Sequence, residues 1–172
     1  FLGGATELGL AQWLPAYTET SLGYPAWIGG SALLAFSIAM TAGRMLIGAG
    51  RLKLGTFQIM TWSCGLSVLL LLLGSFLPIP SLALTACIAA GFAGSCLWPT
   101  MLAVTADHYP HGGATMYGLL AAFGNAGGIV MPWIVGWVAD RHSLHWGIAI
   151  SAVAPGAMLL FVAALRRSRT ID

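Results

Sequence analysis

Charge is what this sequence has least of: seven Lys and Arg and five Asp and Glu among 172 residues, 7% in all. A water-soluble domain of this length carries roughly a quarter charged residues, so this chain cannot clothe a surface facing water. With 58% hydrophobic residues and a mean hydropathy of +0.87, it belongs in a bilayer. Alternation of polar and apolar residues over strand lengths is also missing. With 23 glycines, the apolar runs fit closely packed helices rather than an outer-membrane barrel. No basic run carries interleaved aromatics and the net charge is only +2, which excludes a nucleic-acid partner. Cys64, Cys87 and Cys96 lack the short spacings of metal or redox pairs and read as small core residues. His108, His111, His142 and His145 all fall in connectors, where they read as solvated. The order Asp140, His142, His145 has no helical period to set a ligand sphere, so neither a metal nor another cofactor is expected. Ala93-Gly94-Ser95-Cys96 lacks the pattern of an intramembrane serine protease, and no histidine lies in a span to activate it. An enzyme is therefore not expected. The chain opens at Phe1 with no basic n-region or cleavage site, and it reads as a piece of a longer protein.

What is present is a succession of long apolar runs. Residues 54 to 106 contain no charge and no histidine, more than twice the roughly 20 residues that cross a bilayer core, so two spans share them. The break falls at Pro78-Ile79-Pro80-Ser81, where two prolines remove backbone donors. The same reasoning predicts an all-α, polytopic fold in a single bundle over 1–172. Its six spans lie near 1–18, 26–48, 56–77, 82–106, 113–138 and 146–165. Arg44, Arg51, Lys53, Arg166, Arg167 and Arg169 then share one side and only Arg141 lies opposite, which makes the shared side cytoplasmic and puts both ends there. The expected location is the plasma (inner) membrane.

A faint repeat runs at half length: Trp13 and Pro15 recur as Trp98 and Pro99, Phe36 as Phe123, and Gly48 with Arg51 as Gly136 with Arg141. Three spans followed by three related ones have opposite topology, the 3+3 inverted repeat of many secondary transporters. In the second span Gly30, Leu34, Ser37, Thr41, Arg44 and Gly48 fall on one stripe. The glycines Gly43 and Gly48 suit close helix and loop approach, while Arg44 and Arg51 read either as part of a gating loop or as a positive-inside anchor. In the fifth span Gly124 and Gly128 form a GxxxG face and Pro132 is expected to kink the helix. Asn125, the one asparagine, is interhelical glue or a substrate contact. In the fourth span Ser95 and Trp98 share a face beside the interruption at Pro99; a ring beside hydroxyls suits a sugar or drug cavity, and equally plain packing.

Glu7 is the sharpest residue, the one acid inside a span. Burying a carboxylate costs on the order of 3 kcal/mol, so it marks a proton site, a substrate ligand or a helix-pairing bond. Its own stripe holds Gly3, Ala11 and Thr18; the neighbouring one holds Thr6, Trp13 and Tyr17.

Over essentially its whole length the sequence resembles the C-terminal six-helix half of a major facilitator superfamily transporter. Gly3 through Tyr17, with Glu7, Trp13 and Tyr17, is similar to the seventh helix of the fucose-permease-like branch. Gly43-Arg44 with Gly48 and Gly55 resembles the eighth helix and a degenerate signature loop, without the aspartate of the N-terminal copy. Trp98-Pro99-Thr100 before Asp107-His108-Tyr109-Pro110 resembles the tenth helix, and Gly124 to Arg141 the eleventh. The resemblance implies alternating access, with a missing N-terminal six-helix half as partner and Glu7, Trp13, Trp98 and Asn125 facing the cavity. Ser95 joins that substrate and coupling-ion set. The expected function is secondary transport, by a proton-coupled symporter or a facilitator, of a small polar solute, a sugar before others. Alternatives of other kinds are a non-transporting membrane interaction module or half-size homodimer, and half of a drug efflux transporter.

A cysteine introduced at Lys53 tests the orientation: in intact cells an impermeant maleimide applied outside is expected to leave it unmodified, and permeabilisation is expected to expose it.

Overall fold

Prolines and glycines set the ends of the helices. The computed structural model describes residues 1–50 and 54–168, the last three by backbone only. It contains α1 (Leu2–Ala11), α2 (Leu14–Thr20), α3 (Ala26–Gly48), α4 (Thr56–Phe76), α5 (Pro80–Gly94), α6 (Leu97–His108), α7 (Gly113–Arg141), α8 (Leu144–Ile150) and α9 (Val153–Ser168). Pro25 precedes α3 with extended ψ, as a residue outside the first turn should. Gly50, at φ +63°, closes the far end of α3 in the left-handed conformation that glycine adopts without strain. Gly55 opens α4, its N–H bonded to the Gln58 side chain at 3.2 Å. Leu77 is extended ahead of Pro78, where the ring disfavours helix, and Pro80 opens α5 at a position whose amide has no helical partner anyway.

Five runs are long and apolar enough to cross a membrane: Ala26–Gly48, Thr56–Phe76, Pro80–His108, Gly113–Arg141 and Leu144–Leu165. The sixth expected crossing, at the N-terminal end, is a broken pair, α1 and α2. Three of the expected continuous spans are interrupted by short turns, at 12–13, 95–96 and 151–152. Each turn stands a few residues before a proline, Pro15, Pro99 or Pro155. A proline has no amide to give the carbonyl four residues back, so Ala11, Ser95 and Ser151 lose their helical donors and the chain turns there. Only Pro99 was anticipated as an interruption. Conversely, α7 runs through Pro132 without a break.

Glycine contacts hold the spans together. α1 lies on α7 so closely that a Cβ on Gly4 would strike the Gly124 carbonyl, and one on Gly127 the Phe1 carbonyl. A Cβ on Gly29 would sit 2.9 Å from the Pro15 carbonyl, joining α3 to α2, and one on Gly43 would sit 2.9 Å from the Phe92 carbonyl, joining α3 to α5. The expected small stripe of α3 is displaced by one position. Gly30 and Gly48 have open space where a side chain would go, and the close approaches are made by Gly29 and Gly43. Gly30, Leu34, Ser37, Thr41, Arg44 and Gly48 do share one face, and it is exposed. α5 also packs on α4, and α9 on α4 and α1. The core has one cluster around Leu10, Leu14, Tyr17, Phe36, Leu71 and Val135 and a second around Met60, Cys64, Cys96, Leu97, Met158 and Val162.

The α1–α7 contact yields a matched pair of substitutions. Gly4→Ala is expected to cost about 1–3 kcal/mol, because backbone rather than a movable side chain stands in the way. Gly118→Ala, with nothing within 4 Å, is expected to be neutral or to gain up to about 1 kcal/mol of helix propensity. Thermal unfolding of the two variants in detergent, followed by tryptophan fluorescence, checks the contrast.

Candidate functional site

The acid in the first span has a cation. Glu7, near the middle of α1, faces Arg44, in the last turns of α3, and Arg44 Nη2 donates to both carboxylate oxygens at 2.8 Å. Arg44 Nε donates to the Ser95 carbonyl at 3.2 Å. That carbonyl is the one that Pro99 leaves without a helical donor, so the guanidinium caps a break in the backbone as well as pairing a charge. Gly43 makes the reach possible, since any side chain there would run into Phe92 and the Ser95 hydroxyl. Glu7 is 12% exposed and Arg44 42%, and theirs is the one ion pair among the described residues. The two-helix geometry also fixes direction: the start of α1 and the end of α3 lie at the same end of the bundle. Glu7 stands ~9 Å along α1 from Phe1 and Arg44 ~6 Å before the end of α3, at 1.5 Å per residue.

Two cavities flank the pair. On one side Glu7 and Thr6 line a small cavity with Ser67, Phe36, Met40 and Gly94. The Ser67 hydroxyl is fully buried and has no hydrogen-bond partner among the described residues. On the other side Arg44 lines a cavity of about 390 Å³ with Ile47, Thr56, Cys96, Pro99 and Thr100. A third, apolar cavity of about 310 Å³ runs beside α6 and α7, lined by Trp98, Leu102, Phe123, Met158 and Phe161 with no charged residue.

The expected site residues do not converge on one surface. Glu7, Gly43, Arg44 and Ser95 come together, but Ser95 takes part through its carbonyl, because its hydroxyl is buried and donates to Phe92 at 2.8 Å. The Trp98 ring lies over Gly124 of α7, and its backbone lies against Gly3 of α1. Trp13 Nε1 donates to the Pro132 carbonyl at 2.8 Å, so this indole ties α2 to α7. It does not serve the carbonyl that Pro132 frees, which belongs to Gly128. Asn125 stands apart, exposed on the outer face of α7 with no side-chain partner among the described residues. Gly48 lines the Arg44 cavity. Arg51, Lys53 and Arg169 lie outside the described residues, as do the side chains of Arg166 and Arg167.

One histidine is not the solvated connector residue expected. His108 is exposed, at the last residue of α6, but His145 lies within α8, half-buried. His145 Nδ1 is 2.8 Å from the Ser75 carbonyl and 2.9 Å from the Tyr17 hydroxyl, which itself donates to the Gly74 carbonyl at 2.7 Å. A carbonyl only accepts, so Nδ1 carries the proton. This cluster pins α2, the end of α4 and α8 at the end of the bundle opposite Arg44. Its signal in the sequence was an ionisable residue at the head of an apolar run, Leu144-His145-Trp146-Gly147-Ile148.

Residues 49–171, well over half of the chain, match the family described as the Major Facilitator Superfamily. The chain belongs to the major facilitator superfamily. It is a membrane transporter of the major facilitator kind and not an enzyme. The match opens at Ala49, so Glu7, Arg44 and Ser95 mostly stand on geometry: only Ser95 falls inside it. Neither a comparison with curated proteins nor one with solved structures returns a similar protein.

In this major facilitator chain, Tyr17→Phe removes the proton given to Gly74 and leaves packing intact. Buried interhelical hydrogen bonds in membranes are worth about 0.6 to 1.7 kcal/mol, and a loss in that range is expected in reversible unfolding by a denaturing detergent.

Proposed function

We propose that this chain is the C-terminal half of a fucose-permease-like transporter, and that it moves a small polar solute, a sugar before others, by alternating access coupled to protons at Glu7. The observation that carries the reading is the junction of Glu7, Arg44 and Ser95. A lone charge at the centre of a transmembrane helix costs about 2.5–3.5 kcal/mol, so each partner of the pair depends on the other. Protonation of Glu7 would leave Arg44 uncompensated and would loosen the tie between α1, α3 and the broken α5–α6 span. The unpartnered Ser67 hydroxyl in the cavity beside Glu7 supports a polar route to the carboxylate.

The 3+3 inverted repeat draws support from how the helices pack. α1 packs on α7 as α5 packs on α3, and α4 packs on α5 as α9 packs on α1, which is what a twofold exchange of the halves requires. Both halves also open on a helix broken near a tryptophan and a proline. The exposed faces of α3 and α7 carry Ser37, Thr41 and Asn125 where a lipid-facing helix would carry leucine, and they would take the N-terminal half. Both chain ends would then face the cytoplasm of a cell with this protein in its inner membrane. Substrate contacts would fall to Trp13, Trp98 and Asn125, with Gly43, Arg44, Gly48 and Arg51 at the gate. The apolar cavity beside Trp98 favours a second reading, efflux of an apolar drug.

Glu7→Gln in the intact transporter separates the roles. It keeps the shape of the protonated acid and cannot ionise, so folding and substrate exchange are expected to persist while accumulation against a gradient is lost. A variant that still concentrates a sugar on a proton gradient would make Glu7 structural. Export of apolar dyes without sugar uptake would favour efflux.

A further inference from the structure

We propose that the solute carries a carboxylate and that Arg44 receives it in the cavity beside Pro99, in exchange for Glu7. The inference rests on the transport reading above and narrows its solute class to small organic acids, sugar acids among them.

The donor count of Arg44 is the starting point. A guanidinium has five N–H groups. Nε spends its one on Ser95, and Nη2 is shared between the two Glu7 oxygens. Nη1 has no partner among the described residues. Arg44 also lines the cavity of about 390 Å³, a volume suited to a small solute. No acid among the described residues lines that cavity, and Thr56 and Thr100 add hydroxyls to its wall while Ile47, Leu54 and Ile59 add apolar surface. A cation with an unfilled edge, facing a space without acids, is a site for an anion, and the planar fork matches a carboxylate.

Charge conservation gives the exchange. With Glu7 ionised, the pair is neutral and Arg44 has little call for a second anion. Protonation removes the negative partner, and a carboxylate arriving from the cavity restores neutrality in a medium that cannot solvate a bare guanidinium. Proton and anion therefore bind together, one to Glu7 and the other to Arg44, and the loaded site carries no more charge than the empty one. Among the titratable groups on elements packed against α1, Arg44 and Cys96 are those that interact with the Glu7 carboxylate. Cys96 lies at the 95–96 break and lines the same cavity. Ser95 stays bonded to Nε throughout, so the guanidinium keeps its place while its outer edge changes partner.

The test uses the intact transporter in detergent and matched pairs of probes: glucuronate with glucose, and lactate with lactamide, together with a panel of further small carboxylates and their amides. Thermal stabilisation reports binding. At least one carboxylate is expected to bind about tenfold or more tightly than its neutral counterpart, and more tightly at about pH 5.5 than at pH 8. Glu7→Gln is expected to keep carboxylate binding and lose that pH dependence. Arg44→Lys is expected to weaken it about tenfold, since a point charge replaces the fork. The double variant Glu7→Gln with Arg44→Gln leaves no lone charge to unfold the bundle, and is expected to lose carboxylate binding altogether. Equal binding of acid and amide, no binding by any acid, or unchanged binding in the double variant would each overturn the proposal. Binding and uptake of glucose without any acid would overturn it and leave the transport of a sugar standing. Uptake of neither class into proteoliposomes would remove the reading on which it rests.

Discussion

Proline at position 99 takes away the amide that the Ser95 carbonyl would receive in an unbroken helix, and the one described ion pair is assembled around that loss. In water such a carbonyl would find solvent. In a span it has to be met by protein, and here a guanidinium from another helix meets it. The arginine that meets it has its counter-charge in Glu7, which lies on a third helix and is only 12% exposed. Each feature is costly alone: a break without a donor, a cation without an anion, an acid without a base. Together they satisfy one another, and the condition for the set is a backbone approach that only Gly43 permits.

Glycine and leucine divide the rest of the architecture. α1 meets α7, and α3 meets α2 and α5, at positions where backbone stands in the place of a side chain. Lipid tails are as apolar as leucine, so dispersion between closely approaching backbones, rather than escape from water, holds such helices together. Leu66, Leu69, Leu72 and Leu73 of α4 and Leu160 and Phe161 of α9 face outward, as suits hydrocarbon. α3 and α7 instead turn Ser37, Thr41 and Asn125 outward, along with Trp27 and Trp133. These polar groups stand among exposed Leu34, Ile38 and Met45 on α3 and Leu119, Phe123 and Ile129 on α7.

Much of the fold was legible because the bilayer restricts it. Scarcity of charge and the prolines at 78 and 80 were enough for an all-helical chain with long spans, and five runs meet that description. The breaks before Pro15 and Pro155 have no comparable signature. A proline near the end of an apolar run looks like a proline at a helix start, and only the packing decides whether the chain turns before it. Glu7 stands out because its cost is a property of one residue. Its partner does not, because Arg44 reads equally as a headgroup anchor until the depth of Glu7 on the neighbouring helix is known. The Ser95 hydroxyl looked like a ligand, whereas its carbonyl is the atom that meets Arg44, and a backbone atom has no signature among side chains. His145 was hidden for a related reason: three of the groups that meet in its cluster are a tyrosine hydroxyl and two carbonyls from the last turn of α4.

The two polar clusters sit at opposite ends of the bundle and differ in kind. The Tyr17 and His145 cluster joins a hydroxyl, an imidazole and two carbonyls through hydrogen bonds, and it ties α2, α4 and α8 at one end. The Glu7 and Arg44 pair joins full charges, so a single proton changes its balance completely, and it ties α1, α3 and the α5–α6 break at the other. Between them α1 and α2 are separated by a turn at 12–13, and α5 and α6 by one at 95–96. The bundle is thus tied at one end by hydrogen bonds among a hydroxyl, an imidazole and two carbonyls and at the other by a pair of full charges, with two broken helices between.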